Sequence, residues 1–269
     1  MAQSCFANLG AEKLHYLQYG TGADVLIAFH GYGLNGNSFS ALVDLLQNHY
    51  TLLFVDLPHH GDSKWGSGKF TVDMLMQFIG QIKVKYDVDK VNLLGYSLGG
   101  RACLKILERD PAVVKHLVLL APDGLIFNFP YYLATKNVLG KLIFRHIVHK
   151  PGIFFFVAGW MHRRKILDTS RYKFVTHYME SKEARAFLYA VWTSMADIVP
   201  CLPKVKSLIK SEKIHLTIIM GRYDKIIPVW YAERFRRGLD TLELIVLEKG
   251  HRLLDHHTAQ NIAEILLRL

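Results

Sequence analysis

Six short runs, at residues 25–29, 52–55, 91–94, 117–120, 216–220 and 242–247, are dominated by Val, Ile and Leu, mostly without a polar residue at every second position. A strand that is apolar on both faces has to be covered on both, and parallel sheets with helices on either side achieve this. Helical patterns separate the runs, at 38–47, 71–86, 98–109, 230–238 and 255–269. This alternation predicts an α/β fold, a mostly parallel sheet covered by helices on both faces. Residues 13–19 do alternate, and are expected to form an antiparallel edge strand.

The alternation lapses after Leu120 and resumes near Leu216, leaving about ninety residues with helical periodicity and many aromatics. That is too long for a simple connection. The expected organisation is therefore a first core segment over 1–124, a helical cap inserted at 125–201, and a second core segment over 202–269. The cap is expected over the carboxyl ends of the strands, where open α/β sheets bind ligands.

Gly95-Tyr96-Ser97-Leu98-Gly99 stands between a predicted strand and a predicted helix. A G-x-S-x-G in that setting puts the serine on a sharp turn and lifts its hydroxyl above the sheet, with Gly95 and Gly99 where side chains would collide. A serine hydroxyl needs a base to take its proton, and the base needs a partner that fixes its tautomer. Asp224 follows the run ending at Met220, and His251 follows the run ending at Leu247, which gives the chain order Ser, Asp, His. Asp123 also follows a strand and is the alternative acid. Of the fourteen histidines, His251 is set apart by its strand-end position and the glycine before it.

His30-Gly31-Tyr32-Gly33 follows the first buried run. A glycine turn there can aim the Tyr32 N–H at the space above Ser97, with the Leu98 N–H as second donor. Two such donors make an oxyanion hole, each worth about 2.7 to 4 kcal/mol of transition-state stabilisation. His30 and Gly31 are expected to support this turn.

Composition narrows the classes further. A chain of 269 residues with 51% hydrophobic and 21% charged residues excludes disorder and low-complexity structure. Cys5, Cys103 and Cys201 lie far apart and are odd in number, as expected for reduced thiols. Residues 1–10 lack a basic start followed by an apolar run, and no apolar stretch approaches the roughly 18 to 20 residues of a membrane span, so a soluble cytoplasmic protein is expected. No H-E-x-x-H, Cys/His cluster, EF-hand loop, Walker A or G-x-G-x-x-G occurs. The expectation is chemistry with neither metal nor cofactor.

The ordered set of His30 to Gly33, Asp56-Leu57-Pro58-His59-His60-Gly61-Asp62-Ser63, Gly95 to Gly100, Gly221 to Asp224 and Gly250-His251 resembles the α/β-hydrolase superfamily across essentially the whole chain. The second motif is similar to that superfamily's D-x-P-G-H-G-x-S turn, with His59 in place of the usual glycine. The His30-Gly31-Tyr32-Gly33-Leu34-Asn35 segment and the helical cap resemble small carboxylesterases related to pimeloyl-[acyl-carrier protein] methyl ester esterase. The resemblance implies a serine carboxylesterase acting on a small-molecule or carrier-bound acyl ester. A C–C bond hydrolase and a non-catalytic ligand receptor on the same scaffold remain alternatives.

The net charge of +10 is unevenly spread. From Thr135 to Arg185, eleven Lys and Arg face three Asp and Glu, an excess of eight, with Arg163-Arg164-Lys165 the densest cluster. A solvated surface, a dock for an acidic carrier protein and a weak contact with an anionic membrane all fit such a run. Nucleic acid is not expected, since no binding motif accompanies the charge. The oligomeric state is left open.

Overall fold

A computed structural model describes residues 2–268. Its sheet has eight strands: β1 (Gln3–Leu9), β2 (Glu12–Tyr19), β3 (Asp24–Phe29), β4 (Tyr50–Val55), β5 (Val91–Tyr96), β6 (Val114–Leu120), β7 (Leu216–Gly221) and β8 (Leu242–Leu247). Their spatial order is β1-β2-β4-β3-β5-β6-β7-β8. β1, β2 and β4 pair antiparallel, and every pairing from β4 across to β8 is parallel. The continuous apolar runs are the reason: β3, β4, β5 and β7 are buried over nearly every residue, so both of their faces are covered.

The edge position expected for residues 13–19 is corrected by β1, which folds back along β2 through Gly10 at φ +70 and takes the edge itself. β1 buries Ala7 and Leu9 while Gln3, Ser4 and Asn8 face solvent, so it carries no apolar run to betray it. β8 closes the far edge and is only partly buried.

The helices of this first unit are α1 (Val43–Leu46), α2 (Val72–Tyr86), α3 (Leu98–Arg109), and later α9 (Leu202–Ser211), α10 (Val229–Arg236) and α11 (His256–Arg268). The helix expected at 38–47 is mostly a 3₁₀ segment, Gly36–Leu42, that runs into α1. One side of the sheet packs Leu26, Phe54, Leu94 and Ile219 against Phe39, Leu46, Ile262 and Leu266.

The second unit, Phe127–Ala196, is built from α4 (Phe129–Lys136), α5 (Val138–His149), α6 (Gly152–Arg163), α7 (Thr169–His177) and α8 (Lys182–Ser194). It has its own small core, with Tyr131, Phe144, Val148, Leu188 and Val191 buried. The Tyr131 hydroxyl donates to the Trp192 carbonyl at 3.1 Å, and Arg185 Nε donates to the Val148 carbonyl at 2.8 Å. Of the stretch 125–201 expected as an insertion, 127–196 form this unit, and the flanking residues group with the sheet.

Candidate active site

The strand order reverses between β3 and β5: after β3 the chain adds β4 on one side, then returns to add β5 on the other. The loops leaving the carboxyl ends of two such strands diverge and open a crevice between them. Here those loops are 30–33 and 95–97, so the first and third motifs meet by topology.

Ser97 sits at φ 49, ψ −114, a conformation that residues with a Cβ rarely adopt and that costs of order 1–3 kcal/mol. Three hydrogen bonds hold it there: its N–H donates to Leu120 O at 3.0 Å, and its carbonyl accepts from Gly100 at 2.9 Å and Asp123 at 2.8 Å. The surrounding glycines allow the close packing. A Cβ on Gly99 would lie 1.9 Å from the Phe29 carbonyl oxygen, and one on Gly95 would lie 2.8 Å from Cys103 Sγ and 2.9 Å from Gly100 Cα.

From this turn Ser97 Oγ reaches His251 Nε2 at 3.1 Å, and His251 Nδ1 meets Asp224 Oδ2 at 2.7 Å. The Asp224 side chain is fully buried, and its other oxygen accepts the N–H groups of Ile226 at 2.8 Å and Ile227 at 2.9 Å. Both oxygens of the carboxylate are therefore directed by partners. The turn carrying it is latched to the β8 side through Arg222 N–H to Leu247 O and Tyr223 N–H to Lys249 O, at 2.8 and 2.9 Å. His251 is held from behind as well, since the Tyr96 hydroxyl donates to its carbonyl at 2.9 Å.

Asp123 is engaged elsewhere. Its Oδ2 lies 2.6 Å from Arg101 Nη2, a guanidinium whose side chain is 5% exposed. The alternative acid is thus an ion-pair partner of α3, and Asp224 is the carboxylate on His251.

The loop after β3 is a tight turn, closed by Leu34 N–H to Gly31 O at 3.2 Å with Gly33 at φ +74. Two buried histidines frame it. His30 Nδ1 donates to Gly31 O at 2.7 Å, and its Nε2 accepts from Leu57 N–H at 3.0 Å. His60 Nδ1 donates to Pro58 O at 2.9 Å, and its Nε2 accepts from Gly33 N–H at 3.0 Å. Each ring spends one nitrogen as donor and one as acceptor, which requires the neutral form. Burial, with the neighbouring His60 adding to it, holds His30 down at about 3; burial holds His60 at about 4. Gly31 approaches the serine so closely that a Cβ there would stand 3.1 Å from Ser97 Cβ. Tyr32 lies within this turn, and Leu98 is the first residue of α3, where backbone N–H groups have no partner inside the helix.

His59 keeps the left-handed conformation that the usual glycine would supply, at φ 65. Its neighbour Gly61 packs against Asp56, whose carboxylate accepts from Gly36 N–H at 2.6 Å and Asp62 N–H at 2.8 Å and pairs with His15 Nδ1 at 2.7 Å. His15, Asp56 and Asp62 bring possible ligand atoms within 4.8 Å of one another, but the His15 and Asp56 atoms are already spent on each other. Sequence reasoning missed His60 and Tyr96. The first could have been found from its place in the 56–63 motif; the second carries no signal, because a tyrosine beside the serine reads as packing.

Arg163, Arg164 and Lys165 fall in the second unit, at the end of α6 and the turn beyond it, and all three are exposed.

The profile of a family described as alpha/beta hydrolase fold matches residues 24–142. A dihydrolipoyllysine-residue acetyltransferase component of an acetoin cleaving system from Cupriavidus necator is 25% identical over 230 residues, 85% of this chain. The chain spans 59% of that protein's length. Pimeloyl-[acyl-carrier protein] methyl ester esterase from Proteus mirabilis is 32% identical over 110 residues, 41% of either chain. Among solved structures, a thermophilic esterase from Thermogutta terrifontis superimposes with a TM-score of 0.68 at 20% identity, over 99% of this chain and 98% of its own.

Proposed function

We propose that the chain, which matches the alpha/beta hydrolase fold family over residues 24–142, is a serine carboxylesterase of that superfamily working through an acyl-enzyme. One observation carries the reading: the unbroken hydrogen-bonded line from Ser97 Oγ through His251 to the buried Asp224.

In this mechanism His251 Nε2 takes the Ser97 proton as Oγ attacks the ester carbonyl. The negative charge that develops on the carbonyl oxygen is met by the Tyr32 and Leu98 N–H groups. Asp224 holds Nδ1–H, so Nε2 faces the serine as acceptor, and it stabilises the imidazolium that forms. The tetrahedral intermediate collapses, the alcohol leaves with the proton from His251, and the acyl group stays on Ser97. Water then gives a proton to Nε2 and attacks the acyl carbon, and the acid departs as Ser97 regains its proton. The neutral His30 and His60 keep the Tyr32 turn in shape without adding charge beside the oxyanion.

The test is a fluorophosphonate probe with a series of p-nitrophenyl esters of increasing acyl length. Ser97 is expected to be the labelled residue, and Ser97→Ala to lose turnover by about 10⁶ while staying folded. Undiminished labelling or turnover in Ser97→Ala would overturn the assignment. Tight ligand retention with negligible turnover would indicate a receptor, and cleavage of vinylogous diketones without ester turnover a C–C hydrolase. The likeness to the Proteus mirabilis esterase favours a second choice of substrate, an ester on an acyl carrier, to be run beside the p-nitrophenyl series.

A further inference from the structure

Helices α4, α5 and α6 leave apolar faces open to solvent. On α5, Phe144 and Val148 are buried, while Val138, Leu139, Leu142 and Ile143 lie outside, with Leu139 65% and Leu142 60% exposed. On α6 the exposed residues are Ile153, Phe156, Val157 and Trp160, spaced i, i+3, i+4, i+7, which is a single helical stripe. α4 repeats the pattern with Phe129, Tyr132 and Leu133. Among the described residues, thirteen of the twenty-one exposed large apolar side chains fall between 127 and 166, so this is a concentrated patch rather than ordinary surface scatter.

The charge on the same helices has one sign. Between Gly124 and Leu167 there is no Asp or Glu, but there are seven Lys and Arg, all exposed. Lys141 and Arg145 flank the open stripe of α5, Arg163 and Arg164 follow the stripe of α6, and the Arg164 guanidinium stands 5.9 Å from the Trp160 ring.

A second copy of the chain would cover the apolar stripes but set seven cations against seven with no carboxylate between them. An acidic protein surface would answer the cations and leave the leucines and phenylalanines against polar groups. The outer zone of an anionic bilayer answers both: acyl chains accept the stripes, and headgroup anions accept the Lys and Arg that border them. At 8, 12 and 12 residues, α4, α5 and α6 are each too short to cross a bilayer, so the contact lies on its surface. We propose that the open faces of α4, α5 and α6, with the cations that flank them, form a docking surface for an anionic lipid membrane. This goes beyond the esterase reading and does not depend on it, since binding is measured without turnover.

The test uses the full chain with vesicles of phosphatidylcholine alone or mixed with phosphatidylglycerol, read by co-sedimentation and tryptophan emission. Binding to the mixed vesicles is expected to exceed binding to the neutral ones by about tenfold or more at low salt. It should weaken toward 1 M salt as the screening length falls from about 10 Å to about 3 Å. Leu142→Gln with Phe156→Gln, which leaves the charge unchanged, should cost about tenfold or more in partitioning. Arg145→Gln with Arg163→Gln should weaken binding to the mixed vesicles only, and Trp160→Phe should remove the blue shift. All these positions are exposed, so melting temperature and short-ester turnover should hold and serve as folding controls. Equal, negligible binding to both vesicles at low salt would overturn the proposal. So would a stable dimer that the Leu142→Gln/Phe156→Gln variant dissociates, or an acidic acyl carrier protein that binds this face while vesicles do not.

Discussion

Asp224 and Asp123 both follow a strand, but their surroundings differ. Asp224→Asn should leave the fold intact and lower ester turnover by about 10⁴, because the amide favours the wrong histidine tautomer. Asp123→Asn should change turnover far less and instead cost stability, roughly 1–3 kcal/mol, because Arg101 loses its carboxylate in a largely buried position. Turnover and urea unfolding of the two variants separate these roles, and the reverse ranking would move the acid to β6. The choice was only half legible in the sequence: both acids match a strand-end position, and nothing along the chain pairs Arg101 with Asp123. His30 and His60 yield a pH prediction. Native pKa values of about 3 and about 4 lie below the unfolded value near 6.5, so between them the unfolded chain binds more protons. Their contribution is complete above pH 6.5 and is lost as pH falls toward 4 and then 3, by up to about 1.4 kcal/mol per pH unit for each histidine. His60→Gln should flatten that slope in urea unfolding across a pH series; an unchanged slope would count against the burial argument.

At the scale of the element, the nucleophile turn depends on how closely α3 seats against β3. A Cβ at Gly99 would meet the backbone oxygen of Phe29 at 1.9 Å, and backbone cannot step aside as a flexible side chain could. Gly99→Ala should therefore push the start of α3 outward and carry Ser97 with it. The expected result is a loss in kcat/KM of about 10², the scale of a 1 Å misplacement, and a destabilisation of about 1–3 kcal/mol. Steady-state kinetics and thermal melting read the two effects separately. The elements that sequence revealed best were those whose burial is uniform: β3, β4, β5 and β7 are apolar throughout and stand out without alignment to anything. β1 escaped because only alternate residues near its end are buried, and its place at the edge follows from hairpin pairing with β2. The helix around residue 40 was seen, but its tightening to 3₁₀ was not: hydrophobic periodicity does not separate a short 3₁₀ segment from an α-helix, and the Gly36 N–H anchored on Asp56 at its start is a contact between distant residues.

Across the whole molecule, the chain divides into a sheet-bearing unit in two pieces and a helical unit inserted between them. Within the helical unit, the turn from Arg164 to Leu167 joins α6 to α7, and Arg163, Arg164 and Lys165 are all exposed trypsin sites. Exposed turns with little packing are cut before buried backbone. Brief trypsin treatment of the native protein should cleave first within 163–165, seen by mass spectrometry of the early fragments; first cleavage in the 1–126 segment would contradict this division of stability. The triad has a different dependence on the sheet. Ser97, Asp224 and His251 are carried at the ends of β5, β7 and β8, strands joined through β6 in one continuous ladder. Opening of that ladder destroys their alignment, so the half-life of activity on a short ester at high temperature is expected to follow the opening rate of the sheet. In a laboratory selection for turnover that survives heating, beneficial substitutions should therefore gather in residues up to Ile126 and from Asp197 onward. Substitutions in the helical insert, 127–196, should show no such enrichment.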